Sequence, residues 1–425
     1  GDKSGYSVSL SSDGQIMAIG ANGNDGNDGY DSNRGHVRIY GWNGSSWIQL
    51  GQDIDGEAQD DGSGVSVSLS ADGTIVAVGS KGNDGNGSGS GHVRVYSYNG
   101  SSWTQLGQDI DGEAAGDKSG QSVSLSSNGQ IIAIGANGND GNGSGSGHVR
   151  VYSYNGSSWI QLGQDIDGEA SYDNSGWSVS LSSDGQIMAI GANANGGTAS
   201  GHVRIYNYNG SSWIQLGQDI NGGAQDQLGW SVSLTDDGHT VAMGAHYASN
   251  YAGYVKIYNW DGTSWIQLGQ DIDGEASEDY SGCSVSLSGN GNTVAIGAYG
   301  NNGNGSNSGH VRIYQNVGGS WSQLGVDIDG EAIYDESGSS VSLSSDGNTV
   351  VIGATNNDGN GTESGHVRVY SLGSTSYTSP PCSGCTDSFA VNYDPYSLID
   401  DGTCTYTILG CTDPNADNYD ASANA

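Results

Sequence analysis

The sequence predicts an all-β protein, a seven-bladed β-propeller over residues 1–377 followed by a small disulfide-bonded module over 378–425. Three observations predict it. A Gly-His-Val-Arg string returns seven times, with its glycine at Gly35, Gly91, Gly147, Gly201, Gly253, Gly309 and Gly365, at spacings of 56, 56, 54, 52, 56 and 56. A period near fifty without helical patterning is that of a propeller or a related all-β array. Glycine makes up 75 of 425 residues, without a Gly-X-Y period, which points to many turns and not to collagen. Four of the five cysteines, Cys382, Cys385, Cys404 and Cys411, fall in the last 44 residues, after the repeats have ended.

Each repeat contains four short strand candidates. The first, "SVSLS" as at 66–70, alternates strictly, so Val and Leu face one way and Ser the other. The second is "IMAIGA" at 16–21 or "IVAVGS" at 75–80. Between these two lies Asp13-Gly14, Asp72-Gly73, Asn128-Gly129, Asp184-Gly185, Asp237-Gly238, Asn290-Gly291 or Asp346-Gly347, expected to form a two-residue type I′ hairpin turn. The third strand is "HVRIY", replaced in the fifth repeat by a version with Tyr254 and Lys256. The fourth is "SWIQL", carrying Trp47, Trp103, Trp159, Trp213, Trp265 and Trp321, with Tyr377 at the equivalent place in the seventh repeat. That count favours a complete seventh blade with a weaker outer strand. The alternative is a clasp in which a preceding segment supplies the strand.

Seven of the 11 basic residues share one position: Arg38, Arg94, Arg150, Arg204, Lys256, Arg312 and Arg368. In a chain of net charge −36, a repeated cation on a strand should be paired. The candidate partners are the carboxylates of "DIDGEA" or the aspartates Asp2, Asp61, Asp117, Asp173, Asp226, Asp279 and Asp335. The same net charge repels nucleic acid and anionic membranes. No apolar run is long enough to span a membrane. The terminal cysteine cluster indicates an oxidising compartment. Gly1 begins inside the repeat pattern, as expected of a processed or truncated amino terminus.

These residues resemble the FG-GAP class of propeller repeats, as in integrin alpha subunits. The shared pattern is "SGxSVSLSSDGxxxAIGA", then "GHVRVY", then "GSSWxQLGxDI", in phase over about residues 1–377. The resemblance implies a seven-bladed propeller with roles in adhesion or extracellular assembly. Two departures matter. The phenylalanine of the name is absent, Ser4, Ser63, Ser119 or Leu228 standing there, and the family's calcium loop is replaced by tight Asp-Gly turns, so its calcium sites are not carried over. Residues 384–404 and 410–425 are similar to Gly-Cys-Thr-Asp…Asn-Tyr-Asp…Asp-Asp-Gly-x-Cys modules of secreted proteins of marine microbes and their viruses. A Cys385–Cys404 disulfide is expected to close one such module, with 371–381 as the linker.

Candidate sites follow from residue type. Oxygen ligands for Ca²⁺ cluster in the tail at Asp387, Asn392, Asp394, Asp400 and Asp401. The Asn-Asp-Gly loops offer a second set around Asp25, Asp84, Asp140 and Asp358, beside Asn24, Asn83, Asn139 and Asn357; the plainer reading is a Gly-rich loop. In the acidic strip, Asp53, Asp55 and Glu57 return as Asp109, Asp111 and Glu113; so many equivalent copies argue for blade linkage and against acid-base catalysis. Sequons stand at Asn43, Asn86, Asn99, Asn142, Asn155, Asn209, Asn304 and Asn360, where turn chemistry is an equal explanation. Cys283 falls at a position occupied elsewhere by Tyr6, Val65, Gln121, Trp177, Trp230 and Ser339, a packing or rim site. The expected function is a non-enzymatic structural or adhesive protein, extracellular or on a cell or virion surface, whose partners are further copies of itself, appendage proteins or glycans. Ca²⁺ is the one cofactor expected. A glycan-binding propeller is the alternative and an enzyme using the central pore the third reading.

Overall fold

The computed structural model describes residues 1–26, 32–194 and 199–372, and the short strands Ser383–Gly384 and Ile399–Asp400. The chain divides into two compact units, Gly1–Leu372 and Gly373–Ala425. The first unit is an all-β, seven-bladed propeller. In the second, the described residues are one parallel pairing, Ser383 with Ile399 and Gly384 with Asp400. The expected Cys385–Cys404 disulfide, the tail oxygen ligands and the strand at Tyr377 lie outside the described residues, except that the backbone of Asp400 belongs to that pairing.

The first blade sets the pattern. Its inner strand, Ser7–Leu10, pairs antiparallel with Ile16–Ala21, which pairs with His36–Trp42. The outer edge of this third strand is covered by two separate pieces. Trp47–Gln49 pairs with its far half and Ile54–Asp55 with its near half. Part of "DIDGEA", read from sequence as a linking turn, is thus the second piece of a split outer strand. Six blades have five strands in this arrangement; the seventh shows Ser337–Leu343, Thr349–Ala354 and His366–Ser371. There Val367, Val369 and Tyr370 are half-buried, whereas Val93, Val95 and Tyr96 of the second blade are buried. One helical turn, Ala248–Tyr251, interrupts the β pattern among the described residues, and its Ser249 and Asn250 are left-handed at φ 54° and 59°.

The expected type I′ turn is corrected. Ser11 N donates to Ile16 O and Gly14 N to Ser11 O, so the loop runs over 12–15. Only the glycine is left-handed, at φ 68° for Gly14. The reason is local. Asp13 Oδ1 accepts from Ser11 Oγ at 2.7 Å and from Gln15 N at 2.9 Å, which holds a longer turn of ordinary hand.

Alternation in "SVSLS" builds the axis. The Val and Leu side chains enter the core between blades, and the serines stitch one inner strand to the next. Ser7 Oγ donates to Gly64 O of the following blade, and the same bond runs from Ser66, Ser122, Ser178, Ser231, Ser284 and Ser340, at 2.7–2.9 Å. Ser9 Oγ accepts from Leu69 N, and the pattern repeats to Leu10 N on Ser342 Oγ, at 2.9–3.1 Å. A third ring is main chain alone. Ser12 N donates to Ala71 O, and the sequence continues through Ser127, Ser183, Asp236, Gly289 and Ser345 back to Ser12 O, at 2.8–3.0 Å. These rings close only with seven members, so the first and seventh blades are neighbours.

The core lies between blades. Ala18, Val37, Ile39 and Ile54 of the first blade pack on Val67, Leu69, Val76, Val78 and Trp103 of the second. Such contact leaves no space for a side chain where backbones cross: a Cβ on Gly191 would stand 2.1 Å from Gly229 O. The repeated tryptophan is a rivet. Trp103 Nε1 donates to Leu50 O of the preceding blade at 2.7 Å, while Gln52 donates to Trp103 O and accepts from its N. The same three bonds hold Trp159, Trp213, Trp265 and Trp321.

Candidate functional site

The charged residues of the repeat are engaged between blades. Arg94 Nη2 donates to Asp55 O of the preceding blade at 2.7 Å, and its Nη1 stands 3.4 Å from Glu57 Oε1. Arg150, Arg204, Arg312 and Arg368 repeat this on Glu113, Glu169, Glu275 and Glu331. Each guanidinium also lies over the tyrosine two residues on, Arg94 over Tyr96 at 5.7 Å. The fifth blade changes on both sides at once. Gly223 replaces the glutamate in the preceding blade, and Lys256 replaces the arginine and meets Asp271 of its own blade at 3.7 Å. Tyr254, in place of the histidine, donates its hydroxyl to Asp226 at 2.7 Å. Arg38 takes Asp53 of its own blade at 2.9 Å.

The buried aspartates expected as alternative arginine partners cap turns instead. Asp61 Oδ2 accepts from Glu57 N and Ala58 N, and Asp117, Asp173, Asp279 and Asp335 accept from the equivalent N–H groups. In the Asn-Asp-Gly loops, oxygens offered as Ca²⁺ ligands accept main-chain N–H bonds within their own loop. Asp25 accepts from Ser32 N and Asn33 N, Asp84 from Gly89 N, Asp140 from Gly145 N and Asp358 from Glu363 N. Among the described residues, four other clusters could hold a cation. His36, Asp53 and Asp55 form one; Glu57, His92 and Asp109 another; Glu113, His148 and Asp165, and Glu275, His310 and Asp327, are the last two, with ligand atoms within 4.8 Å. In each, a carboxylate is already paired with Arg38, Arg94, Arg150 or Arg312, so a cation would compete with a guanidinium.

All eight sequon asparagines are exposed. Asn43, Asn99, Asn155 and Asn209 accept from the N–H groups two and three residues on and so cap the turn before the outer strand. Asn86, Asn142 and Asn304 donate to Gly112 O, Gly168 O and Gly330 O.

The copying also breaks at the axis. The residue just before the Ser-Val-Ser-Leu run, in six blades, lines a cavity of about 240 Å³: Tyr6, Gln121, Trp177, Trp230, Cys283 and Ser339, with Tyr299, Glu336 and Thr355. Six of the seven blades contribute their variable residue, so the cavity lies at the axis. A second varied position follows each second strand: Asn22, Lys81, Asn137, Asn193, His246, Tyr299 and Thr355. Sequence reading saw the first ring as packing or rim and missed the second. The available signal was their variation within repeats otherwise nearly identical.

Aromatic rings form an arc on one side of this mouth. Trp177 and Trp230 pack against each other with centroids 4.5 Å apart, His246 packs on Trp230 at 3.9 Å, and the planes of each pair are tilted by 43°. Tyr247 meets His246 edge-on at 4.4 Å, and Tyr280 stacks on Tyr299 at 4.9 Å. Burial pushes the His246 imidazole down to about 3, so it is neutral. Polar groups line the rest: Lys81 Nζ donates to Gln121 Oε1 at 3.1 Å, and Thr355 donates to Glu336 at 3.3 Å. Burial raises the Glu336 carboxyl and lowers the Lys81 ammonium. The Cys283 thiol is pushed up to about 11 by burial and donates to Gly297 O and Gly338 O, the opposite of an activated nucleophile.

Residues 110–152, 272–314 and 326–370 match the FG-GAP repeat. Three stretches of the chain are thus similar to FG-GAP repeats. Two matches start at the second outer piece of a blade and the third starts just before it; each ends in the third strand of the next blade, so the repeat unit straddles two blades and spans their shared core. No curated protein matched the chain. Among the described residues no helix is long and apolar enough to cross a membrane.

Proposed function

We propose that the chain is a non-enzymatic adhesive or structural disc, displayed on a cell surface, virion or appendage. The observation that carries this reading is the use of the repeated polar residues. The repeated serines, arginines and tryptophan N–H groups are bound into neighbouring blades and the repeated aspartates cap turns, so the repeat specifies a rigid frame. Similarity to FG-GAP repeats favours an extracellular adhesive role, and the net charge of −36 favours a solvated surface. Immunogold labelling of intact, unpermeabilised source cells or particles, with antibody raised to the full chain, tests it. Surface label is expected; label appearing only after permeabilisation would overturn the reading. Glycan binding is the second reading, favoured by the aromatic arc at the axis. Calcium, glycans on the sequons and self-assembly belong to the same proposal: Ca²⁺ at the tail, carbohydrate on the exposed asparagines, and contact between copies.

A further inference from the structure

We infer that the axial mouth lined by Tyr6, Gln121, Trp177, Trp230 and Glu336 binds the terminal residue of a saccharide, an inference that rests on reading the disc as a surface-binding protein. Three observations converge on this place. The position just before the Ser-Val-Ser-Leu run varies from blade to blade, and six of its seven residues line this mouth with Tyr299 and Thr355 of the second varied position. Trp177 and Trp230 are half-buried in a ring position where Val65, Gln121, Cys283 and Ser339 serve the other blades equally well, so closing the ring does not require indoles. Trp230 packs against both Trp177 and His246, and His246 meets Tyr247 edge-on, which restricts the indoles before any ligand arrives.

The shape selects the ligand class. Rings that cage a cation surround it, whereas these two indoles pack on one another on one side of the mouth, centroids 4.5 Å apart and planes tilted by 43°. Both are half-buried and so leave indole surface open to the apolar face of a ligand. Across the mouth stand donors and acceptors, Gln121, Ser339, Glu336 and Thr355, with the Tyr6 hydroxyl. A pyranose has this division: a C–H face on one side and a rim of hydroxyls. The chain's net charge of −36 disfavours a polyanion such as an oligonucleotide. A mouth walled by seven inner strands, and drawn together at the other end of those strands by the main-chain ring through Ser12 and Asp236, admits a chain end in preference to a chain middle.

The test uses the full chain and a panel of free neutral, amino and acidic monosaccharides, read by tryptophan fluorescence and calorimetry. A parallel arm uses immobilised oligosaccharides ending in the same sugars, with or without a capping residue on the terminal sugar. At least one sugar should bind saturably. Trp230→Ala and Trp177→Ala should each weaken binding about tenfold, the loss of one aromatic face. Gln121→Ala, a smaller change, should weaken binding while leaving the melting temperature unchanged. Tyr172→Ala, on an exposed loop, should leave binding unchanged. Capping should abolish capture on the immobilised arm. Absence of binding across the panel, or binding that survives both tryptophan substitutions, would overturn the inference. Surface immunogold label with no sugar binding would leave the adhesive reading standing and remove this one; sugar binding with internal label would do the reverse.

Discussion

Ser124 shows how much one small residue does in this frame. Its hydroxyl accepts from Leu181 N across a blade boundary at 2.9 Å. Ser124→Ala leaves that buried N–H without a partner, and the expected cost is about 1–3 kcal/mol. Urea unfolding of the full chain measures it, and a change within error of zero would refute the stitching role. The histidines give a second expectation. Burial lowers the pKa of His36, His92, His148, His202, His246, His310 and His366, and a neighbouring guanidinium adds to this for His36, His92, His148, His202, His310 and His366. An unfolded histidine titrates near ~6.5. Between the folded values and that one, the unfolded chain binds more protons, so stability is full above pH ~6.5 and falls on acidification below it. The melting temperature should therefore drop from pH 7.5 to pH 5, and His246→Phe should flatten the slope. A melting temperature that rises on acidification would contradict the assignment. At this scale the sequence was informative about charge: seven cations at one position signalled pairing. Which carboxylate each would meet was not legible, because five of the seven take theirs from the preceding blade, and only the joint change to Gly223 and Lys256 records the link.

Strands one to three were legible because alternation and punctuation mark them. The outer strand was only half legible. Trp47–Gln49 has a tryptophan to announce it; Ile54–Asp55 is too short to carry a period, and its pairing with His36 and Val37 depends on the chain folding back after Gly51. The outer element also yields a separable prediction. Trp213 packs in the interface core and donates Nε1–H to Leu162 O at 2.8 Å. Trp213→Ala should cost about 3–5 kcal/mol through the cavity it leaves. Trp213→Phe keeps much of the packing and loses the hydrogen bond, for a cost nearer 1 kcal/mol. Equal losses in the two variants, by urea titration, would mean that the rivet is hydrogen bonding alone.

Across the whole first unit, seven repeats and a closed ring were legible from the period. The axial site was not, because it is assembled from one residue of each of six blades, and a sequence shows such residues only as scattered exceptions. Closure predicts cooperativity. Deleting residues 147–200, one full period, leaves six members for rings whose geometry takes seven, and should abolish the cooperative thermal transition. A monomeric deletion variant with the parent's melting temperature would refute this. Adhesion is where the account stands or falls. Beads coated with full-length chain, and beads coated with the same chain after heat unfolding, would be passed over immobilised source cells in a shear-flow chamber. The account predicts retention of the folded coat at shear that clears the unfolded one. Equal retention of the two coats, or none by either, would contradict it.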